Sequence, residues 1–192
     1  MRRTSPKDKI VEQFIKDFNS KGHKVTLDNV SKEIHISKKT IYKYFPTKVD
    51  IYLYILYNAR EEVKEKQKLI YEDKTLSLED KIRKILTIKT DKEKQIDLSK
   101  LSTLCESEPL FYKELMKSYE IQWKYFKLLC EEGIKTKVLK EDTDVDLLIM
   151  MLSTSYEALY STDYLKKKGI SYSEAIERIA NHLLDGCLMK GN

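Results

Sequence analysis

Residues 26–48 read TLDNVSKEIHISKKTIYKYFPTK, and the reading of this stretch decides the fold. Thr26 is a good N-cap, and Leu27, Val30 and Ile34 behind it recur at the three- and four-residue spacing of one buried helical face. His35 and Ile36 make a turn. Ser37 then caps a second helix, in which Ile41 and Phe45 face inward while Lys38, Lys39, Thr40, Tyr42, Lys43 and Tyr44 face mostly outward. Pro46 stops it. The outward face mixes cations, hydroxyls and phenols, the groups that bond phosphate oxygens and base edges in a major groove. On charge alone the plainer reading is a solvated lysine-rich helix.

The spacing favours DNA. In register, the stretch closely resembles the recognition helix of the TetR family of transcriptional regulators, whose usual run is an Ile-Ala pair, an Ala-Gly-Val turn, then Ser, Thr, Leu-Tyr, Tyr-Phe and Lys. Those places are taken here by Val30, Ser31, Ile34, His35, Ile36, Ser37, Thr40, Ile41, Tyr42, Tyr44, Phe45 and Lys48. The match covers about a quarter of the chain. It departs from the pattern at the turn, where His35 replaces Gly; His visits positive φ more readily than most residues, at a strain of about 1 kcal/mol. The resemblance implies DNA contacts from Thr26, Ser37, Lys38, Lys39, Thr40, Tyr42, Lys43 and Tyr44. It also implies a phosphate contact from Lys48, in the first turn of the helix that joins head to body.

Five Gly and three Pro in 192 residues leave little material for hairpins, so the expected class is all-α: a three-helix DNA-binding head joined by a long helix to a helical ligand-binding and dimerisation domain. The domain boundary is expected at residue 50, giving a head of 1–50 and a body of 51–192. Residues 1–50 hold 12 Lys and Arg against 6 Asp and Glu, whereas the rest of the chain is near neutral, so the positive excess lies with the head. No apolar run approaches the roughly 20 residues of a membrane span, and MRRTSPKDK lacks a signal-peptide core, so a cytoplasmic location without membrane partners is expected. Cys105, Cys130 and Cys187 have no ligand spacing and read as small buried apolar residues, with no metal site.

Along the chain, a first helix runs from Pro6, capped by Ser5, to Lys21, with Gly22 as its stop. Arg2 and Arg3 ahead of it read as a disordered tail or a minor-groove arm. Thr47 caps the long helix. Further helices are expected over 76–88, 110–132 (closed by Gly133), from Val145, and from a cap at Ser171 or Ser173. The last two are apolar on faces broad enough for a second subunit as well as their own core, which puts Leu148, Leu152, Ile176, Ile179 and Leu183 forward as dimer contacts.

No catalytic, phosphate-loop or metal-ligand spacing is present, so neither an enzyme nor a cofactor is expected. Phe111, Tyr112, Tyr119, Trp123, Phe126, Tyr156 and Tyr160 form an aromatic set at helical spacing that reads either as plain core or as an effector pocket, with Glu120 or Glu157 as anionic anchors. The expectation is a homodimeric regulator of operator DNA, a repressor released by a small, largely apolar effector. The alternatives are a helix-turn-helix factor that works without an effector, such as a nucleoid-associated or partner-recruiting protein, and an all-α enzyme or adaptor whose basic end is incidental.

Overall fold

The computed structural model describes residues 5–90, 96–97, 100–161 and 164–189, without the side chains of 119–122, 160, 161 and 166. Arg2 and Arg3 lie outside the described residues, as do the side chains of Tyr119, Glu120 and Tyr160. The chain is all-α, with an N-terminal helix-turn-helix head and a helical C-terminal domain. Its helices are α1 (Pro6–Lys21), α2 (Leu27–Glu33), α3 (Lys38–Tyr44), α4 (Lys48–Glu72), α5 (Leu78–Leu86), α6 (Leu101–Ser107), α7 (Pro109–Lys135), α8 (Val145–Ser161), α9 (Tyr164–Lys168) and α10 (Tyr172–Cys187), with a short 3-10 turn at Gly22–Lys24.

Helix starts follow their hydroxyl caps. Ser5 and Asp8 form a reciprocal capping box on α1 with Pro6 at the first helical position. Thr47 and Asp50 bond each other's backbone and side chains at the start of α4, Ser77 accepts from the Asp80 amide at α5, and Ser171 rather than Ser173 caps α10. Gly22 ends α1 with φ 61°, a conformation that costs glycine little.

By packing, the chain divides into two compact units, one made of Met1–Arg60 with Thr90–Met116 and the other of Glu61–Lys89 with Lys117–Asn192. This packing division is a different cut from the functional boundary expected at residue 50.

In the first unit α1 is the central element. Its buried stripe, Ile10, Val11, Phe14, Ile15 and Phe18, is joined by Val30 of α2, Ile41 of α3, and Ile51 and Tyr52 of α4. Each such side chain contributes about 1.5–3 kcal/mol on leaving water, which is what holds two seven-residue helices too short to be stable alone. Tyr52 meets the rings of Phe14, Phe18 and Phe111 edge-on or tilted, at 4.9, 5.8 and 5.9 Å. The segment leading into α6 closes the end of α1: Lys100 donates to the carbonyls of Asn19 and Ser20, and the Asp97 amide donates to the Asn19 side chain at 2.7 Å.

In the second unit Ile82, Ile85 and Leu86 of α5 share a core with Phe126, Leu129 and Cys130 of α7, Leu148, Leu152 and Tyr156 of α8, and Ala180 and Leu184 of α10. Arg83 ties α5 to α10 through Asn181 at 2.9 Å and Asp185 at 2.6 Å while also holding Glu79 at 2.9 Å.

One expected helix end is corrected. Gly133 does not close α7, which continues to Lys135. The positive φ that ends it, 59°, belongs to Lys137, and the amides of Val138 and Leu139 fold back to the Gly133 carbonyl at 2.8 and 3.0 Å. Glycine is needed at 133 for space: a Cβ there would stand 3.0 Å from Cγ of the buried Leu139.

Candidate nucleic-acid interface

The geometry of α3 is fixed by the turn before it. His35 adopts φ 53°, so the turn keeps the left-handed conformation that glycine would take there. The Ser31 hydroxyl is buried and donates to the Ile36 carbonyl at 2.7 Å, pinning the far side of the turn to α2. Ser37 accepts from the Thr40 amide at 3.1 Å, and its hydroxyl also meets that of Thr40 at 2.8 Å. From below, Ile41 and Phe45 anchor the helix, at 0% and 2% exposure. The Phe45 ring packs 5.5 Å from Tyr54, over which Lys7 of α1 stands at 3.8 Å in cation–π contact.

With the inner face so held, the outer face presents what the spacing predicts. Lys39, Tyr42, Lys43 and Tyr44 are exposed, the two phenols by 47% and 40%, unusual for rings beside a hydrophobic core. Among the described residues neither Lys39 nor Lys43 is ion-paired, so both carry their full charge outward. Lys38 is different: it is bridged to Asp28 of α2, which neutralises it and holds it against the neighbouring helix. Thr26 and Ser37 are exposed and spend one lone pair each on their caps, the first on the Asn29 amide at 3.3 Å, which leaves the Thr26 hydroxyl proton to donate, while the Ser37 and Thr40 hydroxyls share one hydrogen bond between them.

Lys48 is the least free of the predicted contacts. In the first turn of α4 its ammonium donates to the His23 carbonyl at 3.0 Å and lies 2.9 Å from the Glu108 carboxylate, between α6 and α7. Sequence reasoning missed Glu108, because nothing local marks a partner 60 positions away.

The other predicted sites are distributed as follows. Phe111 and Tyr112 belong to the first unit, where Phe111 is core and Tyr112 is exposed. Trp123, Phe126 and Tyr156 belong to the second, with Trp123 at 5.7 Å from Phe126 and stacked at 6.4 Å on Tyr156. The Tyr156 hydroxyl is buried without a hydrogen-bond partner, and burial drives its pKa far upward. Glu157 is exposed. Leu148 and Leu152 point into their own core, at 4% and 0% exposure, whereas Ile176, Ile179 and Leu183 are half-buried at its margin. The exposed apolar surface of α8 is carried by Leu147, Met150 and Met151. Burial pushes the Cys130 thiol up to about 12, keeping it protonated and inert. No helix is long and apolar enough, among the described residues, to cross a membrane.

Residues 17–55, which hold this turn and α3, match the family model for bacterial regulatory proteins of the tetR family. Over 178 residues the chain is 21% identical to the uncharacterized HTH-type transcriptional regulator YvaF of Bacillus subtilis (strain 168), covering 93% of each. Among solved structures it resembles the fatty acid degradation regulator FadR from Bacillus halodurans, with TM-score 0.70, 16% identity, and 96% and 98% of the two chains covered. It also resembles Thermus thermophilus FadR, a repressor solved with lauroyl-CoA, with TM-score 0.56, 21% identity and 97% of each chain covered. Residues 17–55 thus carry the helix-turn-helix of the tetR family of bacterial regulatory proteins, on a fold that the chain shares along nearly its whole length with the solved regulators it resembles.

Proposed function

We propose that the chain works as a homodimeric repressor whose two α3 helices enter successive major grooves of an operator and are withdrawn by a small, largely apolar effector. The observation that carries the reading is the outer face of α3, where unpaired Lys39 and Lys43 alternate with exposed Tyr42 and Tyr44 on a helix capped at its start and anchored from below. Lys39, Lys43 and Tyr44 read base edges; Thr26, Ser37, Thr40, Tyr42 and Lys48 hold phosphates; Lys38 contributes after leaving Asp28. The dimer forms on α8 and α10, which pack together within a protomer and carry Leu147, Met150, Met151, Ile176, Ile179 and Leu183 at their margins. Two-fold symmetry then sets half-sites about 34–36 Å apart, or at a longer spacing in phase with the duplex.

For the effector, the buried and unpartnered Tyr156 hydroxyl beside Trp123 offers a polar handle in apolar surroundings. An acyl thioester is the first class to try, given lauroyl-CoA on the Thermus FadR relative. The effector-free reading is favoured by the membership of Phe126 and Tyr156 in a closed core. Selection of bound fragments from random DNA tests the first claim: recovery of a two-fold symmetric site is expected, and recovery of no enriched sequence refutes it. Trp123 fluorescence against acyl-CoA and other lipophilic compounds tests the second. A compound that quenches Trp123 and weakens operator binding by the coupling of about 1–3 kcal/mol supports the switch. One that quenches and leaves DNA affinity unchanged favours the effector-free reading.

A further inference from the structure

Lys48 is offered to DNA by sequence and spoken for by structure, and the conflict is informative. Its ammonium has three N–H donors, of which one meets the Glu108 carboxylate and another the His23 carbonyl. In this arrangement the pair has no net charge, so Lys48 adds nothing to the field that attracts a polyanion, and the carboxylate repels phosphate. Glu108 is itself held firmly by its backbone. Its amide donates to the Leu104 carbonyl at 2.9 Å, closing α6, and its carbonyl accepts from the Tyr112 amide at 3.1 Å, opening α7. The carboxylate therefore goes wherever the α6–α7 joint goes.

A third group completes the arrangement. Tyr52 lies one turn along α4 from Lys48, is 4% exposed, and has its hydroxyl buried without any hydrogen-bond partner. The Glu108 charge, added to burial, raises the Tyr52 pKa, which places the two groups within electrostatic reach of each other. A buried phenol with no acceptor is costly, and a carboxylate that has lost its cation is costlier still. Each is the remedy for the other.

Resting on the DNA-binding reading above, we propose that Glu108 is a positioning residue that latches Lys48 away from DNA, and that on binding Lys48 moves to a phosphate while the Tyr52 hydroxyl takes over the carboxylate. Movement of the α6–α7 joint then changes DNA affinity without touching DNA.

The test uses the full chain and fluorescence anisotropy, with a 30-base-pair duplex of random sequence and with a duplex recovered by selection, across a range of salt. Glu108→Gln keeps the shape and removes the charge. It is expected to tighten both duplexes about two- to five-fold per head, the scale of a partly exposed ion pair. Because Lys48 reaches a phosphate in both complexes, the log–log salt slope should stay as in the wild type, and Lys48→Ala should flatten it by about 0.9 per head in either background. Lys48→Ala in the Glu108→Gln background should abolish the gain in affinity, an outcome that altered packing alone would not produce. Tyr52→Phe, which leaves Glu108 in place, should loosen DNA binding two- to five-fold in the wild-type background and have no effect in the Glu108→Gln background. Unchanged or weaker binding by folded Glu108→Gln, with wild-type protein binding normally, overturns the latch and leaves the DNA-binding reading standing. A Tyr52→Phe effect of equal size in both backgrounds removes the phenol from the scheme. Wild-type protein that retains neither duplex at low salt overturns the reading itself, and the latch with it.

Discussion

Replacing Gly133 with alanine sets two effects of similar size against each other. Gly133 lies within α7, so alanine adds about 1 kcal/mol of helix propensity. The new methyl would stand 3.0 Å from Leu139 Cγ, 3.2 Å from its Cδ1 and 3.5 Å from Ile82 Cδ1. Whether Leu139 can give way decides the sign. It is 1% exposed, its amide is bound to the Gly133 carbonyl, and it faces Leu188 across an isolated β-bridge. That bridge is flanked by bonds from the Lys140 amide to the Cys187 carbonyl at 2.9 Å and from the Met189 amide to the Val138 carbonyl at 3.0 Å. Overpacking of a held core side chain costs about 1–3 kcal/mol, so Gly133→Ala should be destabilising by about 1 kcal/mol net. For a chain of this length that corresponds to a fall in Tm of about 2–4 °C, read by thermal melting and checked by urea unfolding. A variant more stable than the parent by about 1 kcal/mol would show that propensity governs and that Leu139 is free to move, refuting the assignment of Gly133 to close packing.

Three further outcomes are expected. Lys39→Ala and Lys43→Ala should each alter the base preferences recovered by selection, whereas Tyr42→Phe should weaken binding to all duplexes alike; identical effects from all three would dissolve the distinction between base and phosphate contacts. His35→Gly, at an exposed position with φ 53°, should leave DNA binding intact and raise stability by up to about 1 kcal/mol in urea titration; a loss of stability would mean that the His35 side chain has a structural partner. Met150→Glu, on a face of α8 that is 57% exposed at that residue, should yield folded monomers in sedimentation, because a charge desolvated in a subunit contact costs several kcal/mol; dimers that persist would move the interface off α8.

What could be read from the sequence was local. Ser5, Thr26, Ser37, Thr47, Ser77 and Ser171 announce their helices because a cap needs only the three residues that follow it. The turn at His35 was legible for the same reason: its register is set within a dozen residues. Gly133 was misread because its purpose lies in Leu139, beyond the end of its own helix, and a glycine in a helical pattern looks the same whether it stops the helix or admits a neighbour. Periodicity placed Phe111 and Trp123 on one helix correctly, but it carries no information about which residues they meet. One goes to Tyr52 and the other to Tyr156, in different units. Lys48 was recognised by the motif around it, whereas its tie to Glu108 depends on a pairing that only the folded chain creates.

The closure of α1 by Lys100 and Asp97 bears on how such a protein can be taken apart. The carbonyls of Asn19 and Ser20 receive their donor from a segment about 80 positions downstream, and Leu101, Leu104 and Phe111 are buried in the same unit as the helix-turn-helix. A gene fragment cut after residue 60 would encode every residue proposed to touch DNA and still remove the Lys100 donor from the last carbonyls of the first helix, along with part of the buried apolar surface of its unit. Chimaeras that graft this specificity onto another body must therefore carry residues 90–116 along with the first 60. In evolutionary terms, the head is not a portable cassette: recombination at its apparent boundary would break it, so operator specificity and the α6–α7 joint are constrained to be inherited together.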